Sequence, residues 1–306
     1  MKDYQISHIA FSDESCFNDG IFRSISLLTL EVGKCQEIEN DFFQVLSSSG
    51  ITELRWQKLR QARDRIAAIK IIDRVILRIL AKELRIDILI WDIKDSRSNV
   101  KGRDDNANLL YMYRYLYINV LHKRWIDTSI WKLCPDENSL IDWKGVHQYL
   151  NASSQYFKPN HPSLPDLDST AYSLVREFNI QEIIPVKSKE SSICQVADFF
   201  AGIGAYSHRN FNKYNNWLKS NNGQEAIDFS STDEEEILSD NVINRSNSEE
   251  NRFIVINYLN NKFKQLKLGV GLEKSKGFKT YDPKNPINFW IYQPQTDLDK
   301  APTKIH

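Results

Sequence analysis

Acidic residues at two distant places in this 306-residue chain have the types and spacing needed to hold a divalent cation. Asp13 and Glu14 end the first apolar segment, ISHIAFSDES (6–15), which predicts a strand. Asp198 lies near the middle of a helix predicted within EIIPVKSKESSICQVADFFAGIGAY (182–206). The residues three, four and seven positions after it are small: Ala201, Gly202 and Ala205. A helix with such a face can lie very close to a sheet.

The position of Asp198 has two interpretations. In one, its carboxylate meets that of Asp13 around a shared cation, since an acid pair at the end of a first strand and an acid in a late helix are a recurring metal-binding device. In the other, the helix is buried and carries one acid that faces water. Ser192 is the predicted N-cap of this helix, and Gln195, three residues later, would complete a capping box.

A further carboxylate is expected at the end of another apolar run. RIDILIWDIKD (85–95) has the length of a strand and carries Asp92 at its end. The long amphipathic helix predicted before it, 64–84, would allow this strand to lie beside the first one and parallel to it. Asp92 and Asp13 would then end at the same edge of the sheet, where open sheets form ligand sites.

Four segments together resemble the DUF3800 family, whose members are similar to the ribonuclease H-like fold. They are FSDES (11–15), IWD (90–92), CPDE (134–137) and SKESSICQVADFFAG (188–202). The resemblance covers residues 6–210, and the pattern SKES…Q-x-A-D is its most specific part. It implies an α/β fold, with a ribonuclease H-like mixed sheet flanked by helices and a two-metal nuclease site made of carboxylates.

The resemblance also implies further site residues. Asp136, which follows the strand predicted at 128–134, matches an acid of the family and competes with Asp92 for the same metal position. Lys189 and Glu190 precede the late helix, where a loop could aim them at phosphate and at metal. Carboxylate oxygens are suited to Mg²⁺ or Mn²⁺.

Glu14 is a second choice for the metal, because adjacent residues of a strand point to opposite faces. If the first strand continues through Glu14, its side chain lies on the other side of the sheet from Asp13.

Composition shifts predict three parts of the chain. Residues 1–217 contain the resemblance to the DUF3800 family, which implies a ribonuclease H-like domain there. Residues 218–251 are rich in Ser, Asn, Asp and Glu and predict a flexible acidic insertion. Residues 252–306 predict a helix and an extended tail that pack on the main domain.

The overall composition excludes several classes of protein. The chain is 41% hydrophobic and 26% charged, as in globular proteins with a sizeable core. No apolar run has the roughly 18 residues of a membrane helix, and the N-terminus lacks a signal-peptide pattern, so we expect a cytoplasmic protein. The four cysteines have no C-x-x-C spacing, and phosphate-loop, zinc-protease and nucleophile-elbow motifs are absent from the sequence.

Basic segments suggest nucleic acid as the partner. The formal net charge is zero, but residues 55–103 are rich in Lys and Arg and could follow a phosphate backbone. Five basic residues surround Trp56, namely Arg55, Lys58, Arg60, Arg63 and Arg65. A basic cluster beside an aromatic side chain could contact a nucleic-acid strand. The start of a helix with one packed Trp explains the same letters.

The sequence therefore favours a metal-dependent nuclease that hydrolyses the phosphodiester bonds of DNA or RNA. The family resemblance suggests a context of bacterial defence or mobile elements. The alternative is a non-catalytic ribonuclease H-like module that binds nucleic acid or a partner subunit. A protein partner or a homo-oligomer is compatible with either hypothesis.

Overall fold

The computed structural model describes residues 5–15, 20–95, 104–125, 128–138, 141–153, 179–221 and 247–293. They form an α/β structure around a mixed six-stranded sheet, which confirms the expected α/β class and the mixed sheet flanked by helices. The strands of this sheet are β1 (His8–Ser15), β2 (Phe22–Glu31), β3 (Arg85–Asp92), β4 (Trp131–Pro135), β5 (Ile180–Ile183) and, numbered after a two-stranded hairpin, β8 (Ile287–Ile291). The hairpin consists of β6 (Val270–Gly271) and β7 (Lys279–Thr280).

The strand order across the large sheet is β5-β4-β1-β2-β3-β8. The first three strands form an antiparallel meander. On the other side of β1, β4 pairs with it in parallel and β5 pairs in parallel with β4. The last strand, β8, pairs in parallel with β3. The central strands are buried on both faces because helices cover both sides of the sheet.

The expectation that the strand ending in Asp92 lies beside the first strand is wrong. This strand, β3, runs in the same direction as β1, but β2 lies between them. The reason is local, because the short connection after β1 lets the next strand fold back and occupy that edge of β1. The neighbour on the open edge is β4.

Seven α-helices are described. They are α1 (Val32–Ser48), α2 (Ala62–Leu80), α3 (Asp105–Tyr117), α4 (Trp143–Ser153), α5 (Ser192–Arg209), α6 (Phe211–Asn221) and α7 (Asn247–Gln265). Buried residues of α1, α2, α5 and α7 form one hydrophobic core against the sheet, while α3 and α4 cover the opposite face in a second core. Helix α5 is buried on almost every side, which explains its run of apolar and small residues.

The C-terminal part is built into the main body. Helix α7 packs against α2, and β8 is a full member of the large sheet. The helix begins at Asn247, earlier than the expected boundary at 252. Most of the expected acidic insertion, residues 222–246, lies outside the described residues, as does the end of the tail from 294 onwards. Among the helices that are described, none is long and apolar enough to cross a membrane.

Candidate metal centre between β1, β4 and α5

The ends of β1 and β4 bring two aspartates together on one face of the sheet. The strands are parallel neighbours, and the backbone N–H of Asp136 extends the ladder by donating to the carbonyl of Ser12 at 2.7 Å. Asp13 therefore lies next to Asp136. Phe11 and Cys134, two positions before each aspartate, belong to the core beneath α5. Since side chains alternate along a strand, both carboxylates face α5 as well.

Helix α5 supplies two further polar groups to this region. One potential ligand atom from each of Asp13, Asp136 and Cys194 lies within 4.8 Å of the others. Asp198 follows Cys194 by one helical turn, and its carboxylate interacts electrostatically with those of Asp13 and Asp136. Residues that are far apart in sequence thus converge. We call the three aspartates Asp13, Asp136 and Asp198, together with the adjacent thiol of Cys194, the carboxylate cluster.

The electrostatics of the cluster favour a bound positive charge. Asp13 is only 6% exposed, and burial is the main cause that raises its pKa well above the ordinary value. The neighbouring carboxylates of Asp198, Glu14 and Asp136 raise the pKa of Asp13 further, because nearby negative charges oppose its ionisation. Burial likewise raises the pKa of Asp198 to about 7, although the charge of Arg55 opposes this shift.

The thiol of Cys194 is fully buried. Burial raises its pKa far above the ordinary value, and the nearby aspartates add to the shift. Cys194 is therefore a protonated thiol at neutral pH in the metal-free protein. Cysteine spacing gave no signal for this residue, because its neighbours in the cluster are aspartates, two of which come from other elements.

Glu14 lies on the opposite face of β1. Its carboxylate accepts hydrogen bonds from the hydroxyl of Tyr113 in α3 and from Nδ2 of Asn138, the latter at 2.7 Å. Burial raises the pKa of Glu14, and these two hydrogen bonds oppose the shift. Glu14 is thereby tied to α3 and contributes to the cluster through its charge.

Asp92 is placed away from the cluster. It pairs with Phe22 on β2, whereas Asp13 pairs with Ser26. Asp92 therefore lies about 13 Å further along the strand direction than Asp13. It is also separated from β1 by the intervening strand β2. Its carboxylate accepts the backbone N–H of Lys94 at 2.8 Å in the turn after β3. Between the two acids that competed for the second metal position, the structure brings Asp136 to Asp13.

The turn before α5 supports Asp136 through its backbone. Residues Ser188–Glu190 form a 3₁₀ turn, and the N–H of Ser188 donates to Oδ1 of Asp136 at 3.0 Å. The side chains of Lys189 and Glu190 in this turn are exposed. Glu190 does not belong to the group of potential ligand atoms found among the described residues.

A loop between α1 and α2 is clamped to the same helix face. Gln195 accepts the N–H of Leu54 at 2.8 Å and donates to the carbonyl of Ser188 at 3.0 Å. Asp198 accepts the N–H of Trp56 one turn further on. The expectation that Gln195 caps its own helix is therefore wrong, because its amide joins two loops instead.

Small residues in α5 make this clamp possible. A Cβ at Gly202 would overlap Trp56, so Gly202 accommodates the loop. The close approach to the sheet occurs at Gly204, where a Cβ would crowd Ile88 of β3. Trp56 is itself only 2% exposed and packs against aromatic rings of α5. It is a core residue and is not available to stack on a base.

Arg55 lies between Leu54 and Trp56, the two residues whose backbone N–H groups are bound to α5. Its Nε pairs with the Glu53 carboxylate at 2.6 Å, and its Nη2 approaches the hydroxyl of Ser188 at 3.4 Å. Burial alone would lower the pKa of Arg55, but the carboxylates of Glu53, Asp198 and Asp13 raise it. A cation therefore lies beside the carboxylate cluster.

The N-terminus of α5 is capped by Ser191 and, in addition, by a residue from another helix. Ser191, not Ser192, is the N-cap, and its side chain accepts the N–H of Cys194. Glu39 of α1 accepts hydrogen bonds from the hydroxyl of Ser191 and from the N–H groups of Ser192 and Ile193. A carboxylate is favourable at a helix N-terminus because of the helix dipole. Local sequence could not identify Glu39, because the contact spans more than 150 positions.

The side chains present fit a hard divalent cation. Three carboxylates are the oxygen donors that Mg²⁺ and Mn²⁺ prefer. A buried group of like charges is unfavourable unless a cation or protons neutralise it. The adjacent thiol is a softer donor, which favours Mn²⁺ over Mg²⁺ should it ligate.

Comparisons with known proteins place this α/β protein with two relatives. It is 37% identical over 302 residues to "Uncharacterized protein ORF2′" of Methanothermobacter thermautotrophicus, a match that covers 96% of this chain and 97% of the relative. It is 34% identical over 302 residues to "Uncharacterized protein ORF2" of the same organism, with the same coverage. The chain belongs to the family of these ORF2 proteins. No protein-family model matches it.

Proposed function

We propose that this protein is a metal-dependent nuclease that hydrolyses phosphodiester bonds of DNA or RNA. The observation that carries the proposal is the carboxylate cluster, in which Asp13 of β1, Asp136 after β4 and Asp198 of α5 lie within mutual electrostatic range. Mg²⁺ or Mn²⁺ would be held by these three residues. Divalent ions bound there would supply an activated water and stabilise the leaving oxygen, as in two-metal nucleases.

We base the ribonuclease H-like part of this proposal on the strand order and on the place of the cluster in the sheet. An antiparallel meander is followed by β4, which pairs in parallel with β1 on its other side, and by β5, which pairs in parallel with β4. Helices cover both faces of this mixed sheet. The cluster lies at the carboxyl ends of adjacent parallel strands, where open α/β sheets place their ligand sites.

The protein's own groups have distinct roles in this proposal. Asp13 and Asp136 provide oxygen ligands from neighbouring strands. Asp198 adds a third from the helix, and its pKa of about 7 means that a cation would displace a proton from it near neutral pH. Gln195 and the turn at Ser188 fix the surrounding loops.

The test is degradation of a panel of labelled single- and double-stranded DNA and RNA, with Mn²⁺, with Mg²⁺ and with EDTA. We expect degradation with a divalent ion and its loss in EDTA. Asp13→Ala and Asp136→Asn should abolish it. Asp92→Asn is the matched control and should retain activity, because the structure places this residue away from the cluster.

Three results would count against the proposal. Degradation that persists in Asp13→Ala would indicate a contaminating nuclease. Loss of activity in Asp92→Asn but not in Asp136→Asn would show that the metal lies at the end of β3 and not at the end of β4. Binding of nucleic acid without any metal-dependent degradation would favour the non-catalytic ribonuclease H-like module.

A further inference from the structure

We propose that Arg55 binds a backbone phosphate of the nucleic acid and positions it beside Asp13 and Asp198. This inference rests on the proposed function, because it names the group that would bring a polyanion to that site. A cluster of carboxylates repels phosphate, so a substrate phosphate needs a nearby cation. The planar fork of an arginine can bind phosphate oxygens through two parallel hydrogen bonds.

The backbone around Arg55 is fixed from both sides. The N–H of Leu54 donates to Gln195 at 2.8 Å, and the N–H of Trp56 donates to Asp198. Both acceptors belong to α5, which carries part of the carboxylate cluster. Burial of Trp56 anchors the loop in the core. The base of the Arg55 side chain is therefore held in a constant position relative to the cluster.

The guanidinium group retains capacity to bind a ligand. The Arg55 side chain is 43% exposed. Nε is engaged by Glu53, whereas the contact from Nη2 to Ser188, at 3.4 Å, is longer than an ordinary hydrogen bond. Nη1 donates to none of the residues that the structure describes. Two terminal nitrogens can thus turn to a phosphate without breaking a strong hydrogen bond.

Arg55 can move or be replaced without leaving the carboxylate of Glu53 unpaired. The Glu53 side chain is 9% exposed and pairs with Lys58 as well as with Arg55. If Arg55 turns towards a phosphate, Lys58 still neutralises this largely buried carboxylate. The same arrangement provides a control, because Lys58 shares the partner of Arg55, while its pairing with Glu53 does not involve the carboxylate cluster.

This contact would recognise backbone rather than sequence. Trp56 is buried and offers no stacking surface, and phosphate contacts position a nucleic acid without reading its bases. The expected ligand is therefore a phosphodiester strand of any sequence. Whether the strand is DNA or RNA is decided by comparing the two in the same assay.

The experiment measures the fluorescence anisotropy of labelled DNA and RNA strands of about 16 nucleotides. Binding is measured in EDTA, so that hydrolysis does not interfere, over a range of salt concentrations. The proteins are wild type, Arg55→Gln, Arg55→Lys and the control Lys58→Gln. Thermal unfolding of each variant verifies that it is folded.

Arg55→Gln should weaken binding about tenfold, the loss expected for a charge-assisted hydrogen bond. It should also reduce the slope of log affinity against log salt by about 0.7, the value for one phosphate contact on a single strand. Arg55→Lys should keep the salt slope but bind less tightly than wild type, because the fork is lost. Lys58→Gln should change affinity by less than about twofold.

Two outcomes would overturn the inference. One is unchanged affinity in Arg55→Gln, and the other is an equal loss in Lys58→Gln, which would make Arg55 one of many surface charges. These results are separable from failure of the nuclease proposal. If Asp13→Ala abolishes cleavage while Arg55→Gln binds normally, only the role of Arg55 fails. If Arg55 controls binding but the wild type cleaves nothing, only the nuclease proposal fails.

Discussion

Replacing Asp13 by Asn should stabilise the metal-free protein while abolishing metal-dependent activity. Asn keeps the shape of the side chain and an oxygen that can accept the backbone N–H of Glu14, the hydrogen bond made by Asp13. It removes a buried negative charge and the repulsion between that charge and Asp198. Under the proposed function, the wild-type protein tolerates these costs because the cluster holds a cation.

The pKa of Asp198 indicates how costly an ionised carboxylate is in this cluster. A shift of one unit corresponds to about 1.4 kcal/mol, so the rise for Asp198 from 3.8 to about 7 corresponds to about 4 kcal/mol. The pKa of Asp13 is raised as well. Removing this charge should therefore increase the free energy of unfolding at about pH 8, by about 0.5–2 kcal/mol if the gain is that of an ordinary stabilising substitution. Each kcal/mol gained would raise the melting temperature by about 2–4 °C.

The sign of the pH dependence is fixed by the direction of these shifts. A carboxyl group whose pKa is raised on folding binds its proton more tightly in the folded protein. Its favourable contribution is complete below the unfolded pKa of about 4 and is lost as the pH rises towards the folded pKa. The advantage of Asp13→Asn should therefore be small at about pH 4 and grow towards pH 8.

The assay is urea or thermal unfolding of wild type and variant at several pH values, in EDTA and with Mn²⁺. The difference between the two proteins is compared, because burial also lowers the pKa of His8 and of His208, which titrate in both. Mn²⁺ at about 100 times its dissociation constant should stabilise wild type by about 2.7 kcal/mol and the variant by less. Asp92→Asn is the control and should follow wild type.

Two results would refute this reasoning. One is a metal-free Asp13→Asn protein that is less stable than wild type at about pH 8. The other is an equal stabilisation of both proteins by Mn²⁺, since the ion would then bind somewhere that does not involve Asp13.

Two further predictions concern supports of the cluster, and a third concerns a buried ion pair away from it. Gly202→Ala should cost about 1–3 kcal/mol of unfolding free energy and reduce activity, because the added methyl overlaps Trp56. The control Gly33→Ala, in open space on α1, should not destabilise. Equal urea midpoints for the two variants would contradict the packing argument. Glu39→Gln should cost about 1–2 kcal/mol by urea unfolding and weaken Mn²⁺ binding, and unchanged values would show that its cap is dispensable. Asp87→Asn breaks the buried ion pair between Asp87 and Arg85 on the opposite face of the sheet. It should lower the free energy of unfolding by about 3 kcal/mol but leave the Mn²⁺ affinity, measured by calorimetry, unchanged.

The sequence identified most of the elements because their patterns are local. The apolar run ending at Asp92 predicted β3, and the small-residue segment around Asp198 predicted α5. It also singled out Asp13 and Asp198, which the structure places within electrostatic range of each other. Each of these inferences needs only the period of a strand or helix and the chemistry of a carboxylate.

Tertiary structure decided which acid stands beside Asp13. Both Asp92 and Asp136 end apolar strands, and hydrophobic periodicity is the same whichever strand becomes the neighbour of β1. The β1–β2 hairpin occupies one edge of β1, and β4 pairs with the other. The order of strands depends on these pairings between distant segments, which leave no trace in the local pattern.

The side chains around the cluster were also decided by distant contacts. Gln195 and Glu39 have ordinary local roles available to them, but each instead bonds a segment more than 100 positions away. The same holds for Arg55, which becomes a neighbour of Asp198 only because its loop is bound to α5. Local sequence determines which groups a helix or strand presents, and the packing of distant elements determines what those groups meet.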